Sequence, residues 1–169
     1  TIQTAANLVS PFVHRFVIAQ AVREMTILES APTIMAIIYA GKVGSSMSGG
    51  LGTMRITEQI DALEVMGINS SSYLVLPKIV ASLLMYPLLV IVGSLTGSLT
   101  STEYIYGIRY GFNPYFITFA LIKSFVFAFL ISSISSFKGY YTHGGALEVG
   151  IASTNAVTTS IIAVLLADY

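Results

Sequence analysis

Two carboxylates three residues apart, Glu58 and Asp61, are the first candidates for chemistry in this chain. A pair of acidic side chains at this spacing could hold a metal ion or act as a general acid and a general base. Neither role is favoured, because no histidine stands at ligand spacing beside them. His14 and His143 are isolated, and the chain has no cysteine. The sequence therefore predicts no catalytic residue, no metal site and no cofactor.

The two carboxylates belong to a short polar helix that the sequence predicts over residues 51–67. Four charged side chains fall within it: Arg55, Glu58, Asp61 and Glu64. Thr53 is a suitable N-cap, and Gly67 followed by Ile68 suits the left-handed position that ends a helix. These signals predict a well-capped helix between two apolar runs.

Apolar side chains within this segment recur at helical spacing: Ile56, Ile60, Leu63 and Met66. One interpretation is a helix whose polar face is merely solvated. The other is a helix that docks against another protein. Docking accounts for both the narrow apolar stripe and the caps, so we favour it.

Composition places the rest of the chain in a membrane. Only 9% of its residues are charged and 54% are hydrophobic, whereas soluble domains have about 25% charged residues. The net charge is zero, which gives no electrostatic basis for binding nucleic acid. The sequence predicts an all-α membrane protein, a multi-span helical bundle in one transmembrane domain over residues 1–169.

A helix needs about 20 mainly apolar residues to cross the hydrocarbon core. Four whole spans are predicted, over residues 25–40 (extended through the small residues at 44–50), 79–102, 114–137 and 149–167. Residues 1–10 are interpreted as the end of a truncated first span, and residues 11–24 as a turn and an interfacial helix. The loops beside the polar helix carry Lys42, Arg55, Lys78 and Lys138, and those opposite carry Arg15, Arg23 and Arg109. This small excess of positive charge places the polar helix in the cytoplasm.

Three charged residues and two glycines stand out within the apolar runs. Lys123 lies near the middle of its predicted span, where a lysine should face a partner or a wet cavity. Arg23 and Glu24 could pair with each other or bind a lipid headgroup. Gly93 and Gly97 form a small-xxx-small pattern that lets helices approach closely.

The glycine-rich run at residues 41–52 has a superficial likeness to a phosphate-binding loop. It lacks the Gly-Lys-Ser/Thr sequence that such a loop requires. We interpret it as a helix end made of small residues that pack closely. The chain is therefore predicted to have no nucleotide site of its own.

The sequence of residues 52–67, GTMRITEQIDALEVMG, resembles the signature of MlaE-type permeases, the membrane subunits of Mce-associated ABC lipid transporters. Further blocks agree in order along nearly the whole chain: Arg23-Glu24, AGKVGS at 40–45, YLVLPK at 73–78, KSFVF at 123–127 and GALEVG at 145–150. One departure is a pair of glycines, Gly49 and Gly50, where the family commonly has Ala-Glu. That change removes a carboxylate.

The resemblance implies a homodimeric, multi-pass permease core in the bacterial inner membrane, without catalytic activity of its own. It implies a separate cytoplasmic ATPase subunit that uses ATP and a periplasmic Mce-domain partner, with phospholipid moved between the membrane and that partner. The family's coupling segment maps onto Arg55, Thr57, Glu58, Gln59, Asp61, Glu64 and Gly67. Its lipid-pathway residues map onto Arg23, Glu24 and Lys123.

A second function remains open, a stand-alone channel or ion-coupled secondary transporter that uses Lys123 and Glu24. It would transport without an ATPase partner. The sequence gives it little support, because no inverted repeat is visible.

Overall fold

The structure, a computed structural model, describes residues 24–98 and 114–169, and every regular element in these ranges is a helix. The all-α prediction is confirmed. Predictions for the first 23 residues, which include the truncated span, the interfacial helix and Arg23, lie outside the described residues.

The first element is a continuous helical rod of about 46 Å, from the helical rise. It consists of a π-helical turn Thr26–Ser30, helix α1 Ala31–Tyr39, a second π-helical turn Ala40–Gly44 and helix α2 Ser45–Ile56. The junction residues all keep right-handed helical backbone angles. The predicted extension of this helix through the small residues at 44–50 is therefore confirmed.

Three long helices complete the bundle: α4 Ser70–Ser98, α5 Pro114–Tyr140 and α6 Ala146–Asp168. Each has a stretch long and apolar enough to cross a membrane, namely Ser70–Ser94, Tyr115–Tyr140 and Ala146–Asp168. By length and composition, the described residues thus hold three such helices where the sequence predicts four spans. The predicted first whole span is the rod, which its π-helical turns divide into shorter pieces.

The boundaries differ most for α4. It begins nine residues before the predicted span, so Lys78 lies inside a helix and not in a loop. Lys42 likewise lies in the second π-helical turn, and Lys138 in the last turn of α5. The charge count that predicted the orientation of the chain treated these three lysines as loop residues. It therefore no longer supports that orientation.

The predicted helix over residues 51–67 is wrong as a single element. Helix α2 continues from the rod to Ile56, and a separate short helix, α3, covers Gln59–Val65. Glu58 separates them in a left-handed conformation, with φ +59°. Thr53 is therefore no N-cap: it lies inside α2, and its hydroxyl donates to the Gly49 carbonyl at 2.9 Å.

The predicted end of this segment is confirmed. Gly67 has φ +77°, its N–H donates to the Glu64 carbonyl at 3.0 Å, and the N–H of Ile68 donates to the Leu63 carbonyl at 3.1 Å. These two bonds form a Schellman motif, in which glycine tolerates the left-handed backbone that a side chain would strain.

Small residues bring the rod and α5 together. A Cβ placed on Gly139 of α5 would lie 2.5 Å from the Ser48 carbonyl oxygen of α2, which is backbone-to-backbone contact. Farther along α5, Phe127 and Ile131 fill the apolar core, with Tyr86 of α4 and Val164 of α6. The four long elements therefore share one apolar core around α5.

Candidate functional site

The first attachment of α3 to the bundle is an ion pair with α2. Arg55, in the last turn of α2, donates to the Asp61 carboxylate at 2.7 Å. The pair bridges the left-handed turn at Glu58, so it holds α3 at a fixed angle to α2. The guanidinium also lies 6.0 Å from the centre of the Tyr140 ring.

Glu64 makes the second attachment. Its Oε1 accepts a hydrogen bond from Ser70 Oγ at 2.8 Å and one from the Tyr140 hydroxyl at 3.1 Å. Ser70 is the first residue of α4, and Tyr140 is the last of α5. The two donors, with the nearby Arg55 charge, lower the pKa of the Glu64 carboxyl. One carboxylate therefore joins α3 to both neighbouring long helices.

The apolar stripe of the segment faces its own chain. Ile60 is fully buried and Leu63 is half-buried, whereas Met66 is exposed. The stripe is thus mostly used to fix α3 on the bundle, which corrects the idea that it is a free docking face. The surface that remains open is polar at Thr57, Glu58, Gln59 and Asp61 and apolar at Val65 and Met66.

Lys123 lies within α5, nearly five helical turns before Tyr140. Its ammonium group pairs with Asp168 at the end of α6 and, at 3.0 Å, with Glu29 in the first turn of the rod. It also donates to the Leu28 carbonyl at 3.3 Å. The Lys123 side chain is only 9% exposed. The lysine therefore has the partners that an intramembrane charge requires.

Asp168 is a member of this site that sequence reasoning missed. Its Oδ2 accepts a hydrogen bond from Thr33 Oγ1 of α1 at 3.0 Å, while Oδ1 faces Lys123. The residue ends the last apolar run, where it is easily taken for a solvated helix end. Three long elements thus meet at Lys123: the rod, α5 and α6.

The remaining predicted site residues within the described ranges are Glu24, Gly93 and Gly97. Glu24 is half-buried just before the rod. Gly93 of α4 lies against the side chain of Met35, which a Cβ would approach to 2.6 Å. Gly97 is in the last turn of α4. Within residues 24–98 and 114–169, no three acidic or histidine side chains are grouped to hold a metal ion.

The two groups are separated by most of the bundle. Lys123 and Tyr140 stand about 25 Å apart along α5, from the helical rise. We call the two ends of the molecule the α3 end and the Lys123 end. A single long helix, α5, contributes a polar group to each.

The family model described as "Permease MlaE" matches residues 1–169. A "Probable ABC transporter permease protein" from Rickettsia bellii is 37% identical over 153 residues, covering 83% of this chain and 59% of the relative. The probable ABC transporter permease protein ycf63 of Pyropia yezoensis is 38% identical over 154 residues, with 83% and 58% covered. "Protein TRIGALACTOSYLDIACYLGLYCEROL 1, chloroplastic" from Arabidopsis thaliana is 37% identical over 153 residues, with 83% and 44% covered. The chain thus spans about half the length of these relatives.

Proposed function

Because the chain belongs to the MlaE permease family, we propose that it is the permease subunit of an ABC-type transporter that moves phospholipid. In this proposal a separate ATPase subunit docks at the α3 end, which faces the cytoplasm. Phospholipid passes between the inner membrane and a periplasmic Mce-domain partner at the opposite face. Two copies of the permease form the core, and the chain itself has no catalytic role.

The observation that carries the proposal is the attachment of α3 to two membrane-spanning helices. Glu64 is bonded to the first residue of α4 and the last residue of α5, and Arg55 joins α3 to the rod. A displacement of α3 by a partner would therefore act on three spanning elements at once. Packed helices respond to such a displacement by moving between discrete arrangements.

Residues 41–52 also support placing ATP hydrolysis in another subunit. They lie within the helical rod and not in a loop, whereas a phosphate-binding loop presents free backbone N–H groups to the nucleotide. The N–H groups within a continuous helix are already used by the preceding turn.

Two observations support a lipid as the transported molecule. One is the name of the Arabidopsis relative, which is that of a glycerolipid. The other is the largely buried Lys123–Asp168 pair at the far end of the bundle, a polar group beside the apolar core. Such a group can contact a headgroup while the acyl chains remain among apolar side chains.

A charge reversal at Glu58 tests the proposal. Glu58 is exposed beside α3, and within the described residues its side chain makes no hydrogen bond and no ion pair, so Glu58→Lys changes the open surface and leaves the attachments of α3 intact. Asp61 is less suitable because its reversal breaks the Arg55 pair. Glu148→Lys is the matched control, since Glu148 is an exposed carboxylate in the first turn of α6.

The full-length permease is assembled with its ATPase in liposomes, and ATP hydrolysis and phospholipid transfer are measured together. We expect Glu58→Lys to reduce transfer at least tenfold per ATP hydrolysed, and Glu148→Lys to leave the ratio unchanged. Equal transfer by wild type and Glu58→Lys would contradict docking at α3. Transfer by the purified permease alone would instead support the stand-alone transporter.

A further inference from the structure

A cavity of about 530 Å³ lies between the rod and α4, away from both groups of residues described above. Its wall is apolar at Val43, Met85 and Leu89, and it carries two cations, Lys42 and Lys78. Cavities of this size accommodate part of a lipid or a drug-sized molecule. The mixture of an apolar wall and two ammonium groups suits an amphiphile with a negative charge.

Within the part of the chain that the structure describes, neither lysine has an acidic partner. Within the described residues no carboxylate lies within ion-pair distance of Lys42 or Lys78. Lys42 is exposed on the rod, and Lys78 is half-buried inside α4. Both belong to elements that run through apolar surroundings, where an unpaired ammonium group is costly. An anion from outside the chain would remove that cost.

The structure has room for a carboxylate beside Lys78, but the residue at that place, Gly50, has no side chain. Gly50 faces Lys78, and a Cβ on Gly50 would lie 3.8 Å from the Lys78 ammonium nitrogen, an ordinary contact. An acidic side chain at position 50 could therefore reach Lys78. Glycine leaves the cation open to the cavity.

Hydroxyl groups complete the polar part of the wall. Ser46 follows Lys42 by one helical turn, and Ser82 follows Lys78 by one turn. Ser82 already donates to the Lys78 carbonyl at 2.9 Å, whereas Ser46 is exposed. The two lysines and Ser46 together offer several donors to phosphate oxygens.

We propose that this cavity binds the headgroup of an anionic phospholipid, with Lys42 and Lys78 on the phosphate and the acyl chains along Met85 and Leu89. The occupant is a lipid of the surrounding bilayer, because the cations lie on spanning elements and the wall continues as exposed apolar side chains of α4. The inference rests on the membrane placement of the bundle and needs no transport activity.

The test measures lipid binding to the full-length permease in mild detergent, without ATPase and without transport. Pyrene-labelled phosphatidylglycerol and phosphatidylcholine with the same acyl chains are compared by equilibrium fluorescence. We expect phosphatidylglycerol to bind about tenfold more tightly, since each nearby lysine attracts an anionic lipid. In the Lys42→Gln/Lys78→Gln double variant the preference should disappear, while Lys138→Gln, outside the cavity, should keep it.

Gly50 provides a sharper pair of variants. Gly50→Glu places a carboxylate beside Lys78 and should reduce the preference for phosphatidylglycerol to within about twofold of none, by competition for the same cation. Gly50→Gln has the same size without the charge and should retain most of the preference. Equal behaviour of the two variants would overturn the proposal, because bulk and not charge would then decide binding.

Two further results would also overturn it. One is the absence of any preference for phosphatidylglycerol in the wild-type protein, as expected if another protein segment fills the cavity. The other is displacement of the lipid by free glycerol phosphate at equal concentration, which would show a site for a soluble anion. Because ATP hydrolysis is absent from the assay, failure here leaves the proposed coupling at α3 standing.

Discussion

The hydroxyl group of Tyr140 donates to Glu64 Oε1 at 3.1 Å and lies 2.6 Å from Ser70 Oγ, which donates to the same carboxylate oxygen. Three groups from α3, α4 and α5 thus meet at one point. Hydrogen bonds to a charged acceptor are stronger than neutral ones. This contact makes α3 a part of the bundle, although the helix has only seven residues.

Replacing Tyr140 by phenylalanine should loosen α3 without disturbing the spans. The variant removes one donor to Glu64 and one partner of Ser70, while the ring next to Arg55 remains. A spin label on Val65→Cys reports the motion, because Val65 is 89% exposed and this chain has no cysteine. We expect Tyr140→Phe to increase the mobility of the label in the electron paramagnetic resonance spectrum.

Tyr141→Phe is the matched control. Tyr141 is the next residue and is exposed, and its hydroxyl makes no hydrogen bond within the described residues. Its loss should leave the label unchanged. Equal effects of the two variants would mean that ring packing, and not the hydroxyl bond, holds α3.

The attachment of α3 should depend on pH. Hydrogen bonds from Ser70 and Tyr140 lower the pKa of Glu64 from its ordinary value of 4.5. A carboxyl group with a lowered pKa in the folded state stabilises that state fully above its ordinary pKa and loses the contribution as pH falls through the lowered value. Label mobility at Val65→Cys should therefore stay constant from neutral pH to about pH 5 and rise below pH 4.5.

Glu64→Gln serves as the control for this titration. The amide cannot ionise, so the label should be more mobile at neutral pH and should not respond to acid. A rise in mobility below pH 4.5 that persists in Glu64→Gln would assign the titration to another group.

The ion pair of Lys123 with Asp168 should contribute more to the free energy of unfolding than its pair with Glu29. Asp168 is 17% exposed, whereas the Glu29 side chain is 61% exposed. Lys123→Gln leaves a mostly buried carboxylate without its cation, which costs about 3 kcal/mol in buried pairs. Glu29→Gln removes an exposed partner and should cost about 1 kcal/mol or less.

Unfolding of the purified protein by sodium dodecyl sulfate, followed by circular dichroism, measures both variants. Adding Asp168→Asn to Lys123→Gln should recover part of the lost stability, since no buried charge then remains unpaired. Equal losses of stability in Lys123→Gln and Glu29→Gln would show that the Asp168 carboxylate is not destabilised by removal of its lysine partner.

The three long apolar helices, apart from the start of α4, and the end of α3 could be predicted from local sequence. Apolar runs gave the spanning helices, and Gly67 gave the end of α3, because each depends on neighbouring residues. The break at Glu58 was missed, since nothing local signals a left-handed glutamate. Its position is stabilised by the Arg55–Asp61 pair, which forms only once the chain has turned at Glu58, and by burial of Ile60 against the bundle, a tertiary contact.

The candidate sites also divide into features that local sequence predicts and features that depend on tertiary contacts. Lys123 was recognisable as a charge in an apolar run, but its partners lie on other elements, at positions 29 and 168. Tyr140 and Ser70 carried no signal because single hydroxyl residues at helix ends are common. The open cation at Lys78 likewise depends on Gly50, which faces it only after the rod and α4 have packed.

Helix packing at the α2–α5 crossing gives the last prediction. A Cβ at Gly139 would lie 2.5 Å from the carbonyl oxygen and 2.8 Å from Cα of Ser48, so the backbone itself would have to move. Gly139→Ala should therefore destabilise the fold by about 1–3 kcal/mol, as overpacking does. Gly41 lies in the rod, and apart from the neighbouring helix backbone no atom lies within 4 Å of its Cβ position; Gly41→Ala should be neutral or stabilising by up to about 1 kcal/mol through helix propensity. The same detergent unfolding assay compares them, and a Gly139→Ala variant as stable as Gly41→Ala would mean that α2 and α5 are less closely packed than the structure has them.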